Sequence, residues 1–130
     1  MMMKFTCNTG ELNQGINSAL LAVSPKSTLL ALEGILVRVT TKEITLMSYN
    51  LEMGITAIVD AKVEKTGEII IPAKVFSDII RRIESDEVTI EADDRCLVQI
   101  TGGVSQFTIL GMTSEEFPEL PEVGEAQGFS

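Results

Sequence analysis

"IPAKVFSDIIRRIESDE", residues 71–87, decides how the rest of the chain is read. Phe76, Ile79, Ile80 and Ile83 recur at i, i+3, i+4 and i+7, which is one apolar face of an α-helix. The same spacing puts Lys74 and Arg81, a heptad apart, on the opposite side, with Arg82 beside Arg81. Asp78 stands four residues after Lys74 and four before Arg82, in register for i,i+4 ion pairs. The whole chain carries 19 acidic against 10 basic residues, a net charge of −9. Three of its ten cations therefore fall on the solvent side of one short helix in an acidic protein. That segregation needs an explanation.

Outward from this helix (73–83), "EIIIP" (68–72) reads as a strand before it. "EVTIEA" (87–92), "CLVQIT" (96–101) and "SQFTIL" (105–110) read as three strands after it. Gly102-Gly103 and the Asp-Asp of "EADDR" (91–95) supply hairpin turns. The same order appears earlier. "MKFTCN" (3–8) is a strand, and "TGELNQGINSALLAV" (9–23) is a helix with Leu12, Ile16, Ala19, Leu20 and Val23 on one face and Thr9 as its N-cap. A loop "SPKST" (24–28) leads to strands at 31–40, 43–50 and 52–60, and "AKVEKTG" (61–67) connects the halves. A βαβββ unit thus occurs twice, too few times for a solenoid. The expected fold is α+β, with two antiparallel sheets outside and two helices side by side on one face, related by a pseudo-twofold axis.

The polar sides of the two helices must then share a surface. The first offers Asn13, Gln14, Asn17 and Ser18, and the second Lys74, Arg81 and Arg82, with Lys26 in the loop after the first helix. A solvated helix face stitched by i,i+4 pairs is the plain alternative. Acid collects elsewhere: Ser114 to Ser130 holds Glu115, Glu116, Glu119, Glu122 and Glu125 and no cation. Charge is therefore segregated, and segregation says more about binding than net charge does.

Composition narrows the chemistry. One hundred and thirty residues with 45% apolar content suit a single domain with a real core. No stretch approaches the roughly 18 apolar residues of a membrane span, and "MMMKFTCNTGEL" has no apolar signal core. Cys7 and Cys96 lie in strand-like contexts without CxxC spacing and read as buried, reduced thiols, with a disulfide as the alternative. A cytoplasmic protein is the expectation. The chain has no histidine, which removes the usual general base and metal ligand. Glu91, Asp93 and Asp94 are the densest acidic group outside the tail, and their place between two strands favours a turn over a Mg²⁺ site. No glycine-rich phosphate loop opens a helix, and no cofactor is expected.

"MKFT" (Met3–Thr6), "LEM" (Leu51–Met53), "IPAKVFSDIIRRI" (Ile71–Ile83) and "FPELP" (Phe117–Pro121) are each weak signals. In this order, on a doubled βαβββ frame, they are specific, and the chain resembles the N-terminal domain of the bacterial DNA polymerase III beta subunit, the sliding clamp. The resemblance implies a clamp domain over 1–122 and the start of a linker over 123–130, leading to a second clamp domain absent here. Since the family chain has three such domains, this one looks like a domain-length piece, with two methionines ahead of the family's usual start. It also implies a non-catalytic processivity factor. Two subunits join head to tail as a ring around double-stranded DNA, helices lining the hole, and the ring tethers the replicative polymerase after a clamp loader places it. On that reading Lys26, Lys74 and Arg81 face DNA, whereas Arg82 departs from the smaller residue common at its position. Ser105–Leu110 becomes the edge that meets another subunit, with Phe107 and Ile109 as candidate contacts and a core role as their alternative. The family's groove for partner peptides lies between its second and third domains. Two rivals remain: a sheet-edge adaptor binding proteins by strand addition, and a Mg²⁺ enzyme built on Glu91, Asp93 and Asp94.

Overall fold

The computed structural model describes residues 3–23, 33–50 and 53–116. Strand β1 (Met3–Asn8) turns Met3, Phe5 and Cys7 inward and ends in a cap. Asn8 keeps an extended backbone, and its Oδ1 accepts the Glu11 amide at 2.9 Å, so Asn8 caps α1 (Thr9–Ala19). The expected cap, Thr9, is instead the first helical residue, its amide held by the Asp86 carbonyl at 2.9 Å. The α-helix also stops earlier than 23. A 3₁₀ turn, Leu20–Ala22, follows and Val23 is extended, with Leu20 and Val23 still half-buried against the core. The Oγ of buried Ser48 donates to the Ala19 carbonyl at 2.6 Å, satisfying an acceptor that the helix end leaves open.

Strands β2 (Gly34–Val39), β3 (Glu43–Tyr49) and β4 (Gly54–Asp60) form a meander. After β5 (Lys62–Lys65) come β6 (Gly67–Pro72), α2 (Ala73–Arg82), β7 (Glu87–Ala92), β8 (Leu97–Gly102) and β9 (Ser105–Leu110). Strand β5 corrects the reading of 61–67 as a bare connection. It has four residues and only Val63 turned inward, too short an alternation to recognise; pairing with β1, Val63 opposite Phe5, makes it a strand.

The two βαβββ units exchange their first strands. β1 joins the second unit through β7, from Met3↔Ala92 to Asn8↔Glu87. β6 joins the first through β2, from Gly34↔Pro72 to Val39↔Gly67. The result is a five-stranded sheet, β5-β1-β7-β8-β9, and a four-stranded sheet, β4-β3-β2-β6, with every pairing antiparallel. One core joins them: Leu12 and Ile16 of α1, Phe76 and Ile80 of α2, Phe5, Ile90 and Ile100 of one sheet, and Ile35, Leu46 and Ile71 of the other. The helices also touch each other. At Gly15 a Cβ would come within 2.9 Å of Leu46 Cδ1 and 3.1 Å of Val59 Cγ2, so α1 packs closely on β3 and β4 here and a larger residue would make those side chains shift.

Both expected hairpin turns form. Gly103, at φ +60°, and Val104 link Gly102 to Ser105. In the β7–β8 turn, Asp93 Oδ1 accepts the amides of Arg95 at 2.8 Å and Leu97 at 3.0 Å. Cys96 closes that turn at φ +66°, so it belongs to the turn and not to β8, and it is only partly buried. Cys7 is buried as expected, and both cysteines are free thiols. Burial pushes the Cys7 thiol up to about 12, and the nearby Glu11 and Glu87 carboxylates add to the shift.

In native buffer a thiol reagent should therefore modify Cys96 alone, with Cys7 reacting only on unfolding, as mass spectrometry of timed samples would show. Folding raises the Cys7 pKa, so its neutral thiol contributes fully below the ordinary value of 9.0 and the contribution fades as pH climbs toward about 12. Urea midpoints measured across that range should fall with pH, and Cys7→Val should flatten the decline.

Candidate nucleic-acid interface

The side chains α2 turns away from the core are Lys74, Val75, Asp78, Arg81 and Arg82, while Phe76, Ile79 and Ile80 are buried beneath them. Arg81 Nη2 lies 2.8 Å from Asp78 Oδ1, an i,i+3 pair in which both side chains are about half exposed, and Arg81 Nε reaches the Ser77 carbonyl at 3.4 Å. Asp78 thus takes neither of the i,i+4 partners that sequence spacing offered. Lys74 and Arg82 are exposed and make no ion pair with a described residue. Only part of the face is stitched, and α2 keeps an excess of positive charge.

Beside it, α1 exposes Gln14, Asn17 and Ser18, and Asn13 is half-buried. Sequence spacing had left Glu11 out of this surface. Glu11 is exposed and, with Gln14 and Ser18, lies on the flank of α1 that faces Asp60 of β4. The two helix ends meet in a groove of about 350 Å³, where the first turn of α1 (Thr9, Gly10, Asn13) lies against Ile80 and Arg81 of α2 and Ser85 and Asp86 beyond it. No sequence signal announces this groove, because packing alone brings residues 9 and 86 together. Lys26, Leu51 and Phe117–Pro121 lie outside the described residues.

At the far edge, Phe107 and Ile109 share the inward side of β9, half-buried against the core. The core alternative is thus observed in part. Leu110 is 64% exposed and faces Leu97 across the strand pair, on the opposite side of the sheet. A cleft of about 530 Å³ lies elsewhere, between the Asp93–Cys96 turn and β6; its one cation, Arg38, already bonds Glu68 at 2.8 Å. Among the described residues no cluster of carboxylates and thiols is placed to hold a metal ion, and Asp93 serves its turn. Long cations on a helix, without a fork of donors and acceptors fixed for base edges, suit phosphate contacts that carry no sequence information.

Residues 3–121 match the family described as DNA polymerase III beta subunit, N-terminal domain. The chain belongs to that family. The beta sliding clamp of Staphylococcus epidermidis is 30% identical over 130 residues, covering 94% of this chain and 34% of that protein. The beta sliding clamp of Synechococcus elongatus is 33% identical over 124 residues, covering 93% and 33%. The crystal structure of the Bacillus subtilis DNA polymerase sliding clamp superposes with a TM-score of 0.89 at 26% identity over 93% of this chain and 34% of that one. The chain thus spans about a third of the length of the beta subunits it matches.

The Arg81–Asp78 pair is exposed and holds little of this beta-subunit fold together. Asp78→Asn should shift stability in urea by no more than about 0.5 kcal/mol. A loss above about 1 kcal/mol would mean that the pair fixes the helix and is not available to a ligand.

Proposed function

We propose that this chain is the N-terminal domain of a sliding clamp, a non-catalytic processivity factor that lies against duplex DNA with its two helices. In this reading residues 1–122 form the domain and 123–130 begin the linker to the next. The domain is part of a ring that encircles double-stranded DNA, slides without sequence preference and holds the replicative polymerase on its template after a clamp loader has placed it. The protein works in the cytoplasm; in the described residues no helix is long and apolar enough to cross a membrane. The observation that carries the proposal is the α2 face: Lys74 and Arg82 without an ion pair to a described residue and Arg81 paired only at the exposed surface, on a family member whose other helix presents mostly uncharged polar groups beside them. Lys26 joins them in this reading through the resemblance alone. The edge strand β9, with Phe107 and Ile109 at the margin of the core and no partner strand beyond it among the described residues, is the surface for a second subunit.

A sheet-edge adaptor would use the same β9 edge and ignore α2, and charge reversal separates the two readings. Lys74→Glu, Arg81→Glu and Arg82→Glu together should abolish binding to a mixed-sequence duplex at low salt, read by fluorescence anisotropy. Reversing Lys42 and Lys62, which lie off the helices, should do far less. The unmodified chain should bind weakly, near the 10⁻⁴ M end of the range, with log affinity falling by roughly 0.9 per phosphate contact for each decade of salt. Equal effects of the two sets, or a preference for one duplex sequence, would defeat the proposal.

A further inference from the structure

Three polar side-chain atoms among the described residues are buried with no partner: Thr9 Oγ1, Asn13 Oδ1 and Ser77 Oγ. Thr9 is 7% exposed and Ser77 2%. Thr9 and Asn13 line the groove where the first turn of α1 meets the last turn of α2, and Ser77 stands one turn before Arg81, which lines it too. Buried polar groups are normally satisfied, and Thr9 Oγ1 and Asn13 Oδ1, both on residues of one groove, ask for a polar guest.

We propose that this groove is a seat for one phosphodiester group of the DNA backbone, an inference that rests on the DNA reading of α2. The donors are at hand. Thr9 supplies a hydroxyl, and the Asn13 amide, turned over, presents its NH₂ in place of Oδ1. In the first turn of α1 the Thr9 amide is bonded to the Asp86 carbonyl and the Glu11 amide to Asn8, which leaves the Gly10 N–H at the positive end of an 11-residue helix. Gly10 has no side chain to block the approach. Arg81 is held by Asp78 only at an exposed surface, where exchanging one oxyanion for another costs little.

The charges around the groove select the guest. Asp86 lines its wall and Asp78 sits beside Arg81, so a dianion meets two carboxylates with a single guanidinium to offset them. A phosphodiester carries one negative charge and a monoester or free phosphate close to two near neutral pH, so the groove disfavours the former less. A seat of this kind fixes the register of both helices on one strand and leaves the sequence unread, as sliding requires.

The test titrates the isotope-labelled chain with a short mixed-sequence duplex and, separately, with inorganic phosphate, following backbone amide resonances. With duplex, the Thr9 and Gly10 amides should move together with those of Lys74 and Arg82. Thr9→Val removes the buried hydroxyl and keeps the shape, so its urea midpoint should hold or rise. Its duplex affinity should drop about fivefold, the worth of one hydrogen bond. The Gly10 response should shrink while those of Lys74 and Arg82 persist, and Thr9→Ser should restore both affinity and response. Unchanged affinity in Thr9→Val, with α2 still responding, overturns the seat and leaves the DNA reading standing. Silence of both helices toward duplex overturns both. A larger response to inorganic phosphate than to duplex overturns the backbone as the source.

Discussion

Everything in this molecule depends on the exchange of one strand between its two halves. A βαβββ unit cannot close its own core, because the open edge of its meander needs a fourth strand and its first strand is committed elsewhere. The β1–β7 and β6–β2 ladders supply both needs at once, and each runs without interruption over six residue pairs. The exchange also places the helices. α1 starts where β1 ends and α2 where β6 ends, and since β1 pairs with β7 and β6 with β2, both helices are delivered over one shared core. Phe76 and Ile16 are fully buried for this reason. The side-by-side helix surface is a product of connectivity and precedes any question of charge.

Charge then gives that surface its use. Two cations off α2 are offset close by, at Lys4–Glu64 (3.9 Å) and Arg38–Glu68 (2.8 Å), the latter holding the Glu68 carboxyl below the usual range through its hydrogen bond. On α2 the only carboxylate takes Arg81 and leaves the two flanking cations free of ion pairs with described residues. A contact that must hold a polyanion without stopping it is served by a few exposed charges in high dielectric, each worth little alone and weakened by salt.

The edges follow the same symmetry. β5 covers the outer side of β1, and Met112 makes the corresponding bridge on the outer side of β6, with two backbone bonds of 2.9 Å to Ile70. Met112 also packs on a small second cluster, Leu36, Met47 and Ile70, on the face of the four-stranded sheet away from the helices. The strands left at the ends are β5 and β9 of one sheet and β4 of the other, with Met112 bridging the fourth end at β6.

The amino-acid sequence by itself determined the elements with long periodicity, their order and their duplication. Eight of the nine strands and both helices are legible because alternation and 3.6-residue spacing are written by burial on one face. The basic stripe of α2 was legible for the same reason, since a known apolar face dictates the opposite one. What only the tertiary structure decided is whatever depends on residues distant in the chain. Strand β5 exists because β1 offers it a ladder, and Cys96 left β8 because Asp93 holds both amides of a turn that needs a left-handed residue. Asp78 chose Arg81 among three cations within reach, a choice between rotamers that spacing does not rank. The groove holding Thr9, Asn13 and Arg81 has no linear signature: its walls come from two helices that a strand exchange brought together, and the cost of a buried, unpartnered hydroxyl can be seen only after that packing is complete.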